Sequence, residues 1–368
     1  MFMHALLKTL EKIINYLPPP KKSQILLMRV VLVFLIHIAS INNVQAQIND
    51  SVSFSGLNKS DTIYIITNRT IDTTHENLSF NNDVNQNTQL TYLKVSLNKS
   101  EKIVSQLLKH DNFMTQICDK TTDWLLFIHG DSKTYEQSVK RGFDIQNLHK
   151  INVVVFSWSS KAKAITGLKN LNNSKRNVLK SMLHFNELLA FMDSFKKENL
   201  AFNENVKLSM LLHSLGNLYL ENLAKEPAVE RKFNKIFDNV IINSAAVDQK
   251  MHQDWVEKTT FQERIYITNN KSDFNLKGKH IFSKDGNQLG EKAKKPLAEN
   301  ANYVQFSKSV GFRFPTGTTH TYFIGNVPNK SQNIRDFYFN AFHGCQIDFS
   351  DQSHFIKRNK GVGYYILF

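Results

Sequence analysis

Ser214, Asp273 and His320 follow one another along the second half of the chain, and together these side chains could cleave an acyl bond. A serine hydroxyl is a poor nucleophile until a neutral imidazole takes its proton, and that imidazole needs a carboxylate to fix its tautomer. Any large protein holds the three types in this order, so the local settings carry the inference. Ser214 sits in Leu212-His213-Ser214-Leu215-Gly216-Asn217, where a buried strand gives way to a helix. On so sharp a turn the serine is lifted clear of the sheet, and the following helix aims its N-terminal N–H groups at the same place. The turn wants small residues two before and two after the serine. Gly216 meets the second demand, and Leu212 occupies the first position. A serine that caps an ordinary helix is the plain alternative.

A second strand end, Phe127-Ile128-His129-Gly130-Asp131, lies upstream. Glycine there allows close backbone approach, so the N–H groups of Asp131 and Leu215 are the expected oxyanion donors. His129 reads as part of the substrate pocket or as a loop histidine bonded to its own turn. Trp158 reads equally as an acyl-pocket wall or as core. Two carboxylates compete for the acid: Asp273, after the strand Arg264–Thr268, and Asp248, after Val240–Asn243. Two histidines compete for the base. His320 follows the polar, Gly-containing stretch Thr316-Gly317-Thr318-Thr319, 47 residues after Asp273. His354 lies beyond Arg335–Phe342, which reads as a C-terminal helix, so its use would require the tail to fold back. The spacing favours Asp273 and His320, with Asp248 and His354 as alternatives.

The elements that must position these residues alternate along the chain. Thr62–Thr67 and Leu90–Leu97 read as strands, with loops over 47–60 and 70–88. Trp124–Ile128, Val153–Phe156, Val206–Leu212, Val240–Asn243, Arg264–Thr268 and Asn302–Phe306 are further short strands. Helical stretches fall at Tyr135–Leu148 and Lys175–Lys197, and a short one follows Gly216. Short apolar strands between helices predict an α/β fold, a mainly parallel sheet covered by helices on both faces.

Composition sets the outer limits. With 368 residues, 41% hydrophobic content and 27 Phe, the chain buries a full core and is no disordered protein. Two cysteines exclude a disulfide scaffold and any four-cysteine metal site, and Cys118 and Cys345 read as unpaired buried thiols. No H-E-x-x-H, G-x-x-x-x-G-K or strand-linked G-x-G-x-x-G occurs, and Gly311, Gly317 and Gly325 are too far apart for one phosphate loop. No metal and no cofactor is expected. The formal charge of +14 is spread without basic blocks carrying interleaved aromatics, which argues for a solvated surface rather than nucleic acid. Loose association with an anionic envelope is compatible with it.

The N-terminus reads as an address. Val30–Ala39 is an apolar run too short to span a bilayer; Lys21, Lys22 and Arg29 precede it, and Val44-Gln45-Ala46 follows. These are the parts of a secretory signal cleaved after Ala46, implying a periplasmic or extracellular protein. Met28-Arg29 would open a complete signal by itself, so a start at Met28 is the alternative to one at Met1, making 1–27 an over-extension. Residues 61–325 are then the main domain, and 326–368 a C-terminal helix and tail packed on it.

Four blocks, taken together, resemble a bacterial branch of the alpha/beta-hydrolase superfamily whose biochemical role is poorly defined. They are Ile66-Thr67-Asn68-Arg69; Phe127-Ile128-His129-Gly130 with Arg141 downstream; Val155-Phe156-Ser157-Trp158-Ser159-Ser160; and His213-Ser214-Leu215-Gly216-Asn217. The resemblance covers roughly residues 60–325 and implies Ser214 as nucleophile and His320 as base. Members of the fold mostly take the acid from the later strand, which again points to Asp273. The expected activity is a serine hydrolase acting on a small-molecule or lipid-like ester or related acyl bond. An inactive binding or scaffold protein on the same fold, and a peptidase or thioesterase, are the alternatives.

Overall fold

Runs such as Trp124–Ile128 and Val153–Phe156 are apolar at every position, so they can bury both faces only inside a sheet covered on both sides. The computed structural model describes residues 52–54, 61–72, 78–87, 89–118, 121–161, 167–202, 205–225, 235–282, 286–311, 313–316, 318–358 and 363–368. The chain divides into two units, 1–53 and 54–368, and all that follows concerns the second. The expected signal at 1–46, and the leader at 47–60 apart from 52–54, lie outside the described residues.

In chain order the elements are β1 (Thr62–Thr67), β2 (Arg69–Asp72), β3 (Ser79–Val84), β4 (Thr91–Leu97), β5 (Ile103–Leu108), α1 (His110–Cys118), β6 (Trp124–Ile128), α2 (Tyr135–His149) and β7 (Asn152–Ser157). After them come α3 (Gly167–Lys180), α4 (Met182–Phe202), β8 (Leu208–His213), a 3₁₀ turn (Ser214–Asn217), α5 (Leu218–Lys225), β9 (Phe237–Asn243), α6 (His252–Glu257), β10 (Gln262–Asn269) and α7 (Phe274–Phe282). The last are β11 (Ala301–Gln305), α8 (Asn326–Lys330), α9 (Gln332–Phe342), β12 (Phe355–Lys357) and β13 (Tyr364–Ile366).

Eleven strands form one sheet in the order β12-β13-β11-β10-β9-β8-β6-β7-β1-β4-β5. Pairing is parallel from β13 through β11, β10, β9, β8, β6 and β7 to β1, and antiparallel at both margins. The α/β expectation therefore holds. The chain leaves β6 toward β7 on one side and returns to β8 on the other, so the order reverses between β6 and β8. Open parallel sheets hold their reactive crevice outside the carboxyl ends of the strands at such a reversal. Here the register aligns Ile128 with Leu212 and His213 with Asn243, bringing the ends of β6, β8 and β9 level.

Side-chain alternation divides the core into two layers. Trp124, Leu126 and Ile128 join a cluster with Phe185, Leu188, Leu189 and Tyr219 from α4 and α5. On the opposite face α2 packs on β7 and β1, while α9 packs on β8 and β9.

Several expectations change. The single helix at Lys175–Lys197 is two helices, broken at Ser181. The Ser181 hydroxyl donates back to the Asn177 carbonyl and accepts from Asn68, and such back-bonding bends a helix. Most of the described residues within 70–88 belong to the two-stranded ribbon β2–β3 rather than to a loop. Ile71, Phe80 and Val84 are the apolar residues of its two short strands, too few to give a clear period, so backbone pairing reveals it. The sheet also runs past β11: β13 pairs with β11, so part of the 326–368 tail lies in the sheet itself. Cys118 is half-buried and Cys345 exposed, which corrects the reading of two buried thiols, and no disulfide joins them.

Candidate active site

The turn after β8 is strained in the way a presented nucleophile requires. Ser214 adopts φ 54°, a left-handed conformation costly for a residue with a Cβ, of the kind that persists only where surroundings over-determine it. Asn217 supplies much of that determination. Its Nδ2 donates to the carbonyls of Ser214 (2.9 Å), Leu212 (3.2 Å) and Asn243 (3.3 Å), closing the turn onto β8 and β9. Gly216 explains the small residue two after the serine: a Cβ there would lie 2.8 Å from the His129 carbonyl oxygen. Leu212, two before, is buried in the α4–α5 layer, so its bulk is accommodated in the core and not at the turn.

The loop after β6 approaches just as closely. A Cβ on Gly130 would sit 2.7 Å from the Ser214 Cβ and 3.1 Å from the His213 carbonyl oxygen. Asp131 follows, and its carboxylate is turned aside: Oδ1 accepts from Ser174 Oγ at 2.6 Å and Asn170 Nδ2 at 2.8 Å, both on α3. Its negative charge is thus held by donors away from the N–H proposed for the oxyanion. Thr134 and Gln137 then close a reciprocal capping box on α2, an arrangement worth about 1 kcal/mol that anchors the far end of the loop. Gly130→Ala should lower kcat/KM by about 10²-fold with the far-UV circular dichroism unchanged, because the methyl displaces Ser214. Wild-type turnover in that variant would show that the approach is not functional.

Asp273 is completely buried, and its Oδ2 lies 2.7 Å from Nδ1 of His320. Its other oxygen accepts the N–H of Leu276 at 3.1 Å, so the acid caps α7 while it holds the ring. The two loops are stitched together. Asn270 Nδ2 donates to the Thr319 carbonyl (3.0 Å), and the Phe274 N–H to Thr319 Oγ1 (3.2 Å). On the other side Ser244 Oγ donates to the His320 carbonyl at 2.8 Å, and the Ala246 N–H to that of Ser214 at 3.0 Å. The His320 ring packs 4.8 Å from that of His213, the residue before Ser214. The carboxyl end of β8 and the loops after β10 and β11 therefore deliver serine, acid and histidine to the same end of the sheet's strands.

The alternatives fall elsewhere. Asp248 is exposed in a turn, accepting the Lys250 N–H at 2.8 Å, with no bond to either histidine. His354 precedes β12, five strand spacings from β8, or roughly 24 Å across the sheet. It is held by Asp351 in its own turn at 2.7 Å.

Of the two readings open for His129 and Trp158, the buried loop histidine and the core tryptophan are the ones observed. His129 and Trp158 are fully buried and stack on one another at 5.4 Å, with rings nearly parallel. Trp158 Nε1 donates to the His129 carbonyl at 2.8 Å, while His129 Nε2 accepts the Trp158 N–H at 3.2 Å. Burial above all holds His129 neutral, consistent with one nitrogen accepting and Nδ1 donating to the Gly130 carbonyl. The pair braces the β6 and β7 loops from beneath, and neither side chain is exposed. Sequence reading missed the role of Arg69. This fully buried guanidinium donates to Ser157 Oγ (3.1 Å), Asn82 Oδ1 (2.8 Å), and the carbonyls of Trp158 (2.6 Å) and Lys133 (2.9 Å). Burial lowers its pKa to about 10, which leaves it charged at neutral pH. A charged residue two positions after an apolar strand was the available signal.

Among the described residues, no group of three or more His, Cys, Asp or Glu side chains is arranged to hold a metal ion. Residues 106–312, more than half of the chain, match the model of a family described as alpha/beta hydrolase of unknown function (DUF900). No match is found among curated proteins.

Proposed function

The chain belongs to the DUF900 alpha/beta hydrolases, and from that premise we propose that it is an exported serine hydrolase cleaving carboxylic esters or related acyl bonds. The observation that carries the proposal is the buried Asp273–His320 pair, 2.7 Å apart, beside the strained Ser214 turn. Asp273 accepts the hydrogen bond from Nδ1–H of His320, leaving Nε2 as the base. Ser214 Oγ attacks the acyl carbon as its proton passes to Nε2, and the carbonyl π electrons move to oxygen. The N–H groups of Asp131 and Leu215 stabilise that oxyanion. Collapse expels the alcohol, which takes the proton from His320, and water then repeats the sequence on the acyl-enzyme. Export rests on the N-terminal charge and apolar pattern, and the substrate is a small-molecule or lipid-like ester requiring no cofactor.

A fluorophosphonate probe tests the reading. Folded protein should be labelled at one position, Ser214, identified by peptide mapping, and should hydrolyse short-chain nitrophenyl esters. Folded protein that takes up no label would favour a binding or scaffold role on the same fold.

A further inference from the structure

Two cations stand near the nucleophile turn with no carboxylate in ion-pair contact, Asp131 and Asp144 acting on them only at a distance. Lys133 lies three residues beyond Gly130 in the oxyanion loop, and Arg141 lies on α2. Both are half-buried. Among the described residues the Arg141 side chain hydrogen-bonds only Nδ1 of His213, at 3.4 Å, a long contact to a ring that burial holds neutral. Arg69 makes the contrast: its guanidinium is fully engaged with four neighbouring groups, whereas most of Arg141's five N–H donors are left over.

The nearby carboxylates are committed elsewhere. Asp131 is held by Asn170 and Ser174, and Asp144 pairs with Lys140 at 2.7 Å. Among the described residues no acidic side chain lies within 4.0 Å of Lys133 or Arg141. Repulsion from Arg141, with burial, brings the Lys133 ammonium down to about 7, a sign that the two charges are close. Two neighbouring, partly desolvated cations are unfavourable by themselves and become favourable when an anion sits between them. The His213 Nε2, buried and unpartnered, lies in the same cluster.

We infer that the substrate carries an anionic group, a carboxylate or a phosphate, which Lys133 and Arg141 bind beside the reacting carbonyl. This rests on the serine-hydrolase reading, and it deepens that reading by naming the substrate class. It makes the cleft select charged acyl compounds over neutral esters of the same size.

Two measurements separate the inference from the reading beneath it. In Ser214→Ala protein, which cannot turn over, glutarate or inorganic phosphate should raise the melting temperature saturably, and dimethyl glutarate should not. Response to glutarate alone or to phosphate alone identifies the anion. The effect should vanish in Lys133→Gln/Arg141→Gln and persist in Arg141→Lys. In the otherwise unaltered protein, kcat/KM for a nitrophenyl hemiglutarate should exceed that for the neutral butyrate by at least about tenfold, as expected for charge-assisted hydrogen bonds. That ratio should fall toward one in the double variant. If the double variant does not fold, protection of Ser214 from the probe by glutarate, but not by dimethyl glutarate, decides the matter in the unaltered protein. Equal response to charged and neutral compounds overturns the inference. Anion binding without labelling or turnover would leave the cationic pocket standing and remove the hydrolase reading.

Discussion

Ser214→Ala is expected to abolish fluorophosphonate labelling and to lower ester turnover by on the order of 10⁶-fold, the loss typical when a triad nucleophile is removed. The substitution deletes one oxygen and leaves the Cβ, so the left-handed turn, the three Asn217 hydrogen bonds and the Gly130 contact all remain. Stability should therefore change little, and thermal unfolding serves as the control. A variant that unfolds normally and still turns over ester would place the nucleophile elsewhere and end the proposal.

Asp273→Asn should cost on the order of 10⁴-fold in turnover with the fold retained. The amide is nearly isosteric and can still accept the Leu276 N–H through its oxygen, so the cap on α7 survives. With that oxygen on Leu276, the amide Nδ2 faces Nδ1 of His320 as a donor, so the imidazole is driven to the wrong tautomer and its protonated form loses its counter-ion. Asp248→Asn is the matched control. That carboxylate sits exposed in its own turn and should leave turnover within a factor of about two, as surface substitutions generally do. Equal small losses at both positions would dissolve the triad. The same logic separates His320→Ala, which should end labelling, from His354→Ala, which should not.

The sequence reading succeeded where the signal was local. β1 and β6 appear with the limits their apolar runs suggested, and the helix over 135–148 ends one residue further on. The turn at His213–Asn217 was legible because a buried strand, a serine and a glycine stand in adjacent positions. It failed where the stabilising partner was distant in sequence. The β2–β3 ribbon is largely polar, the helix break at Ser181 depends on Asn68, and Arg69 is explained only by groups near residues 82, 133 and 157.

The sequence by itself therefore determined the class of fold, the candidate nucleophile and a short set of candidate acids and bases. Periodicity and turn chemistry are properties of consecutive residues, and they need no knowledge of neighbours in space. Tertiary structure alone decided which candidates belong together. Strand order placed β12 far from β8 and so excluded His354; the β10 loop carried Asp273 to His320 while Asp248 stayed in its own turn. It also turned the Asp131 carboxylate away from the site and gathered Lys133 and Arg141 beside it. Charge and hydrogen bonding act over a few ångströms of space, and the residues they join here lie tens of positions apart in the chain.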